Sequence, residues 1–312
     1  MKETLKGKII KGVGGLYTVR VTEDGSLPIG SLVKCRGRGS FRHDGLTLLS
    51  GDRVLLCNDG AGEKGFVIDS VEERRNSLIR PPMSNLDILF ITMAAASPIP
   101  VLTTVDKLIA ICEHNRIEPV IVITKKELAP DYAEELKSLY ESCGFTCFCV
   151  SAKEGIGVED IKQYIDKSIS DKTAAFAGAS GIGKSTLMNA LFPALSLSTS
   201  EISRKIERGR HTTREVELFP LSECADCGYV ADTPGFSMLD FARFDFFDKD
   251  DLTDTFREFA AYEGECKYKK CTHTKEEGCA ILTAVKEKKI PPSRHESYLE
   301  LYEVLKAKKK WN

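Results

Sequence analysis

The sequence predicts a multidomain α/β chain in three parts: a small closed β-barrel, a doubly wound α/β domain, and a short helical segment built round cysteine and histidine. Three observations carry that reading. Residues 1 to about 72 hold short alternating apolar runs jointed by glycine. From Leu86 onward, strand-length apolar runs alternate with helical stretches as far as a glycine-rich loop at 178–185. Past about Phe244 the chain turns charged and helical, and it gathers Cys266, Cys271, His273 and Cys279 in a short stretch. The expected boundaries are 1–72, 73–244 and 245–312, and 312 residues allow each part a modest core of its own.

In the first part, Leu16-Tyr17-Thr18-Val19-Arg20-Val21 alternates after Gly14-Gly15, Gly51 opens a run through Leu56, and Gly65 precedes Phe66-Val67-Ile68. Short strands with glycine at the joints suit a small barrel, for which the OB-fold is the natural candidate. In the second part, Leu86-Asp87-Ile88-Leu89-Phe90-Ile91-Thr92 is nearly continuous in apolar residues, as a strand covered on both faces of a parallel sheet must be. A helical stretch near Thr104 to Asn115, the strand Pro119 to Ile123, a helix near Tyr132 to Ser142, the strand Phe145 to Val150, and a helix from about Val158 to Ile169 follow. Thr173 to Ala177 then leads into the glycine loop, and this alternation is that of a doubly wound domain.

The loop Gly178-Ala179-Ser180-Gly181-Ile182-Gly183-Lys184-Ser185, continued by Thr186, fits the phosphate-binding pattern GxxxxGK[ST]. Its glycines let backbone amides approach phosphate, its lysine reaches the β/γ oxygens, and its hydroxyl serves Mg²⁺. Asp232-Thr233-Pro234-Gly235 follows the apolar Tyr229-Val230-Ala231. The aspartate would hold the metal through water, and the Gly235 amide would sense the γ-phosphate. Between the two lies Gly209-Arg210-His211-Thr212-Thr213-Arg214, where Thr212 or Thr213 would complete Mg²⁺ coordination. Mg²⁺ ligands are thus expected among Ser185, Thr212, Thr213 and Asp232.

Base-reading loops are also present, but ahead of the phosphate loop. Thr124-Lys125-Lys126-Glu127 stands where a GTPase carries an Asn-Lys-x-Asp sequence, and Ser151-Ala152-Lys153 stands where a second loop reads the guanine oxygen. An ordinary GTPase runs phosphate loop, Asp-x-x-Gly switch, then base loops. Here the base loops come first, which is the order of a circularly permuted P-loop GTPase domain. Glutamate accepts the same two hydrogen bonds as aspartate with an added methylene, whereas threonine gives up the amide that would tie neighbouring loops together. Guanine preference is therefore expected in weakened form.

Phe236 occupies the position after Asp-x-x-Gly where many GTPases place a water-orienting glutamine. Slow intrinsic turnover is expected, with Lys184 stabilising phosphate charge and His211 the candidate for ordering the attacking water.

Three thiols and one imidazole at Cys266, Cys271, His273 and Cys279 suit one four-coordinate structural Zn²⁺. Such a site would staple a segment that lacks a core of its own. Of the eleven cysteines, Cys112, Cys143, Cys147 and Cys149 lie in apolar surroundings and read as small core residues. Cys224-x-x-Cys227 has no second half and reads as a turn, and His43, His114 and His295 read as ordinary surface or core residues.

These residues together resemble the circularly permuted GTPases of bacterial ribosome assembly, the RsgA (YjeQ) family. The resemblance runs over nearly the whole chain and includes Asn85-Leu86-Asp87 at the opening of the central sheet. It implies an OB-fold barrel, a permuted GTPase domain and a helical zinc subdomain. It also implies GTP and GDP as ligands, and action on the small ribosomal subunit and its rRNA late in maturation, with hydrolysis stimulated by the subunit.

A formal net charge of −2 argues against general polyanion binding by the chain as a whole. Basic clusters are local: Arg36, Arg38 and Arg42; Arg204, Lys205, Arg208, Arg210 and Arg214; Lys267, Lys269 and Lys270; Lys306, Lys308, Lys309 and Lys310. Each is either a solvated face or an RNA-backbone contact. No run approaches membrane-spanning length and no N-terminal stretch resembles a signal peptide, so a cytoplasmic monomer without membrane contact is expected. Two other readings stay open: a P-loop ATPase or small-molecule kinase, and an RNA-binding assembly scaffold with a nearly inert nucleotide site.

Overall fold

A computed structural model of the chain describes residues 3–58, 65–193, 216–222, 224, 227–232 and 247–308. They fall into two compact units. One comprises the described residues of Met1–Leu89, Asp160–Ala177 and Met188–Phe236; the other comprises those of Phe90–Glu159, Gly178–Leu187 and Ser237–Asn312. Among the described residues no helix is long and apolar enough to cross a membrane.

The first unit begins with five strands: β1 (Thr4–Val13), β2 (Leu16–Val21), β3 (Leu32–Arg36), β4 (Arg53–Asn58) and β5 (Phe66–Val71). β1 pairs antiparallel with both β2 and β4, β2 with β3, and β4 with β5. A parallel bridge from Gly37 to Ile68 closes the ring, giving the five-stranded barrel of an OB-fold. Strict alternation builds its core: along β3, Val33 and Cys35 are buried while Leu32, Lys34 and Arg36 face out. Ile9, Val19, Val21, Leu56 and Ile68 fill the interior with no exposed surface. Arg38 pairs with Asp69 at 2.8 Å, and the short helix α1 (Ser40–His43) follows.

The sequence reading missed β1 and β3. Lys8 interrupts the apolar pattern of β1, yet it is buried, donating to Thr173 Oγ1 at 3.2 Å and lying 4.2 Å over the Tyr229 ring. Beyond the barrel come β6 (Ser77–Leu78) and β7 (Met83–Ser84), an antiparallel pair. The same unit holds β11 (Thr173–Ala177), β12 (Glu217–Pro220) and β13 (Tyr229–Asp232). β11 and β13 run parallel, β12 returns antiparallel to β13, and β12 meets β1 of the barrel at Lys11↔Glu217.

The second unit is layered α/β. Its sheet has the order β10-β9-β8, with β8 (Ile88–Ala94), β9 (Glu118–Thr124) and β10 (Thr146–Cys149), and β9 and β10 are parallel. All seven residues of β8 are buried, as its continuous apolar sequence requires. Helices α2 (Leu102–His114), α3 (Pro130–Ser142) and α4 (Val158–Ser168) alternate with the strands, and α5 (Lys184–Leu191) follows the glycine loop.

The C-terminal segment of this unit packs Phe256 and Phe259 against Tyr298, with ring centroids 5.3 and 5.1 Å away. It ends in α6 (Ala280–Lys286) and α7 (Pro292–Ala307). Arg294 of α7 is buried; it donates to Asp106 Oδ1 of α2 at 2.6 Å and to Glu258 Oε1 at 2.7 Å. Burial pushes the Asp106 carboxyl up, against the downward pull of Arg294.

The core reading of the cysteines holds at Cys112, Cys143 and Cys147, which are buried, and Cys149 is half-buried. Burial pushes the Cys143 thiol up to about 12 and that of Cys149 to about 11, so both stay protonated and unreactive. Cys224 is exposed and Cys227 buried, both as free thiols.

Candidate functional site

Two groups of residues in the second unit answer the chemical expectations. The first surrounds the glycine loop. A Cβ added at Gly178 would lie 2.2 Å from Thr92 Oγ1 and 2.5 Å from Thr92 O, so only glycine lets the loop backbone pass this close to Thr92. Ala179, Ser180 and Gly181 are exposed, Ile182 is buried, and Gly183, Lys184 and Ser185 are half-buried, with Thr186 exposed. Lys184 and Ser185 open α5, so the free amides of a helix N-terminus face the loop that the pattern assigns to phosphate.

The base-reading segment is fastened to this loop. Thr124 ends β9 with 2% of its surface exposed; its hydroxyl donates to Ile182 O and lies 3.1 Å from Met93 O. The expectation that threonine gives up the tie between loops is therefore corrected. The backbone of the glycine loop comes close enough for a short hydroxyl to do what a longer amide would do. Lys125 then turns into the left-handed region at φ 57, and its ammonium donates to Gly181 O at 2.7 Å and to Ser97 O. Lys126 points elsewhere, pairing with Glu134 of α3 at 2.6 Å, so its side chain is committed to the scaffold.

Glu127 Oε2 and Ser151 Oγ are both buried with no hydrogen-bond partner among the described residues. Unpaired buried oxygens are costly, and two in one corner mark a place where donors from a ligand would be welcome. The Ser151 backbone is fixed by reciprocal bonds with Ile156 at 3.0 and 3.1 Å. A Cβ at Gly157 would lie 2.5 Å from Cys149 O, so the loop closes tightly over the end of β10. Ala152 is half-buried and Lys153 exposed.

Asp232 is the last residue of β13, in the first unit, directly across from Glu217 of β12. β11 and β13 are parallel neighbours, with Ala175 opposite Ala231, so both strands end on the same edge. Ligands of open α/β sheets are bound at such carboxyl ends. His211, Thr212, Thr213, Gly235 and Phe236 lie outside the described residues.

The second group is the cluster of Cys266, Cys271, His273 and Cys279, whose four ligand atoms all lie within 4.8 Å of one another. His273 Nδ1 is 3.4 Å from Cys279 Sγ and 3.6 Å from Cys266 Sγ. The backbone amide of Ala280 points to Cys266 Sγ at 3.4 Å and that of Leu282 to Cys279 Sγ at 3.5 Å. Burial pushes the Cys271 thiol up to about 12 and keeps the His273 imidazole below its usual range. A neutral imidazole and thiols whose protons a divalent cation would displace are a fitting donor set for tetrahedral zinc.

Three supports of this cluster went unnoticed in the sequence. His295, read as ordinary, has Nε2 2.8 Å from His273 O, and Tyr298 donates to Thr272 O at 2.9 Å. Glu276 takes the amides of Thr272, Thr274 and Lys275 at 2.8, 3.0 and 3.1 Å. Burial works against its charge, but the Thr272 hydroxyl and the amides of Thr272 and Lys275 hold its carboxyl at about 2. The acidic pair Glu276-Glu277 inside an otherwise basic Cys/His loop was the available signal.

Comparison with known proteins agrees with this geometry. The family model described as RsgA GTPase matches residues 71–242, and that described as RsgA N-terminal domain matches residues 6–67. The small ribosomal subunit biogenesis GTPase RsgA of Caldanaerobacter subterraneus is 38% identical over 311 residues, covering 99% of this chain and 98% of its own. The protein of the same name from Bacillus velezensis is 38% identical over 309 residues, covering 97% and 98%. Among solved structures, YjeQ from Thermotoga maritima superposes with a TM-score of 0.79 at 29% identity over 98% of this chain and all of its own. YloQ, described as a circularly permuted GTPase, gives 0.77 at 32% identity over 99% and 97%. Barrel, permuted motif order and enzymatic class therefore go together: the chain belongs to the RsgA GTPase family of GTP-hydrolysing enzymes.

Proposed function

We propose that this chain binds GTP in the corner formed by the 124–127, 151–153 and 178–186 segments and hydrolyses it while assisting maturation of the small ribosomal subunit. The observation that carries the guanine assignment is the pair of buried oxygens on Glu127 and Ser151, without a partner among the described residues, in loops that Thr124 and Lys125 fasten to the phosphate loop. Guanine offers N1–H and N2–H donors to Glu127, and the Lys125 stem would pack against the base. Lys184 and the amides of Gly181, Ile182 and Gly183 stabilise charge on the phosphates.

Mg²⁺ would be held by Ser185, Asp232 and one of Thr212 and Thr213, and when bound it neutralises phosphate charge. His211 is the residue assigned to order the attacking water. Zn²⁺ would be held by Cys266, Cys271, His273 and Cys279, with His295 and Glu276 fixing the loop that carries them. The names of the relatives support the small ribosomal subunit as partner. Exposed lysines at 267, 269 and 270, with Lys34 and Arg36 of the barrel, supply charge suited to an RNA backbone. In this reading the working parts are residues 1–72, 73–244 and 245–312 of a cytoplasmic monomer.

Single-turnover hydrolysis of GTP, with and without purified small subunits, tests the proposal. Stimulation by subunits is expected, with GTP but not ATP competing for the site. Equal competition by ATP would overturn the base assignment, and turnover indifferent to subunits would overturn the partner.

A further inference from the structure

The strand that ends in Asp232 is held in place by the barrel, and the contacts that hold it fall at both ends of the β12–β13 hairpin. At the end nearer Asp232, Ser50 of the barrel, itself buried, donates to Val216 O at 2.9 Å. The next residue, Glu217, is the register partner of Lys11 in β1, and Lys11 Nζ lies 2.6 Å from Glu217 Oε2. Glu217 is in turn the register partner of Asp232. At the other end Pro220 pairs with Tyr229, whose hydroxyl accepts from Arg20 at 3.4 Å. Arg20 also donates to Ser222 O at 3.3 Å and Cys224 O at 3.5 Å, and the Lys8 ammonium covers the Tyr229 ring.

From this we infer that Lys11 and Glu217 are positioning residues for GTP hydrolysis: their ion pair sets the place of β12, and hence of the Asp232 backbone, from the barrel. The inference rests on the proposed hydrolysis and gives the barrel a part in it beyond partner contact. Glu217 stands between Lys11 and Asp232 in the ladder, and the Lys11 ammonium, 2.6 Å from its carboxylate, is what fixes that residue to the barrel. The base-reading loops and the glycine loop are held by different bonds, those of Thr124 and Lys125. Loosening β12 should therefore change turnover more than nucleotide affinity. Lys11 and Glu217 side chains are 35% and 38% exposed, so their exchange leaves the core intact.

The test compares wild type, Lys11→Glu, Glu217→Lys and the double exchange in the full chain. Turnover number for GTP, dissociation constant for GDP, and thermal midpoint are measured for each. Each single variant is expected to lower kcat about three- to tenfold with GDP affinity kept within about twofold, and the double exchange to bring kcat back within about twofold of wild type. Unchanged kcat in the single variants would overturn the inference, as would a double exchange that folds but restores nothing, or a loss that follows GDP affinity. Should a charge reversal fail to fold, Lys11→Met and Glu217→Gln repeat the comparison with the same expectation for the single variants. Wild-type turnover is read first. No GTP turnover at all counts against the proposed function, whereas turnover insensitive to every exchange counts against this inference alone.

Discussion

Arg294 Nη1 lies 2.6 Å from Asp106 Oδ1, with each side chain 1% exposed, so a charged pair in the interior joins the C-terminal helix α7 to α2. Glu258 and the Tyr140 hydroxyl, 3.0 Å from Asp106 Oδ1, complete the network. Removing one partner leaves the others charged and dry. Arg294→Met is therefore expected to lower unfolding free energy by about 3–5 kcal/mol, and Asp106→Leu with Arg294→Met by less than the sum of the single losses. Urea unfolding of the four proteins checks this. A loss under about 1 kcal/mol would reduce the pair to the value of a surface contact.

The Thr124 hydroxyl bond to Ile182 O gives a second expectation. Thr124→Val keeps the shape and removes the donor, and should speed GDP dissociation about three- to tenfold, the worth of one buried hydrogen bond. Thr124→Ser should stay close to wild type. Stopped-flow release of a fluorescent GDP analogue distinguishes the two, and equal rates for Val and Ser would remove the tie from the account.

Glu127 should decide which base is held. Glu127→Gln replaces one acceptor oxygen by a donor facing guanine's own donors. It is expected to weaken GDP binding about tenfold or more, in keeping with about 1.5–3 kcal/mol for a charged hydrogen bond, while leaving weak ADP binding unaltered. Parallel calorimetric titrations with GDP and ADP provide the check; equal losses for both would point to a damaged loop rather than a lost base contact.

Lys8 makes stability depend on alkaline pH. Burial, aided by the charge of Arg53, lowers its pKa from 10.5 to about 8, with Asp171 acting the other way. Between those values the unfolded chain binds the proton that the folded chain has released, so stability rises with pH from about 8 and levels off above about 10.5. Lys8→Met should remove that rise. Urea midpoints of both proteins at several pH values across the window measure the difference, and parallel curves would rule Lys8 out as its source.

Much of this was legible in the sequence because its signals were local. The glycine loop, the two base segments and the Cys/His spacing each lie within a few residues, and the apolar runs of β8 and β9 announce strands buried on both faces. What escaped depends on distant partners. Lys8 hides β1 because its ammonium is satisfied by Thr173 and Tyr229, more than 160 positions away. His295 gives no sign of serving the Cys/His loop until α7 places it against His273 O. Thr124 could be judged by the amide it lacks but not by how near Ile182 comes.

The bridge between Lys11 and Glu217 has one more consequence, for aggregation. On one side β12 is satisfied by β13; on the other, the barrel stands where an unpaired strand edge would otherwise meet solvent. Edges of that kind invite pairing with foreign strands, and proteins that lack a cover for them tend to associate. A chain trimmed to begin at residue 73 would keep its phosphate and base loops yet bare this edge beside the buried Val216 and Leu218. In the full chain β1 of the barrel covers that edge, and loss of the cover is expected to let β12 pair with a second copy.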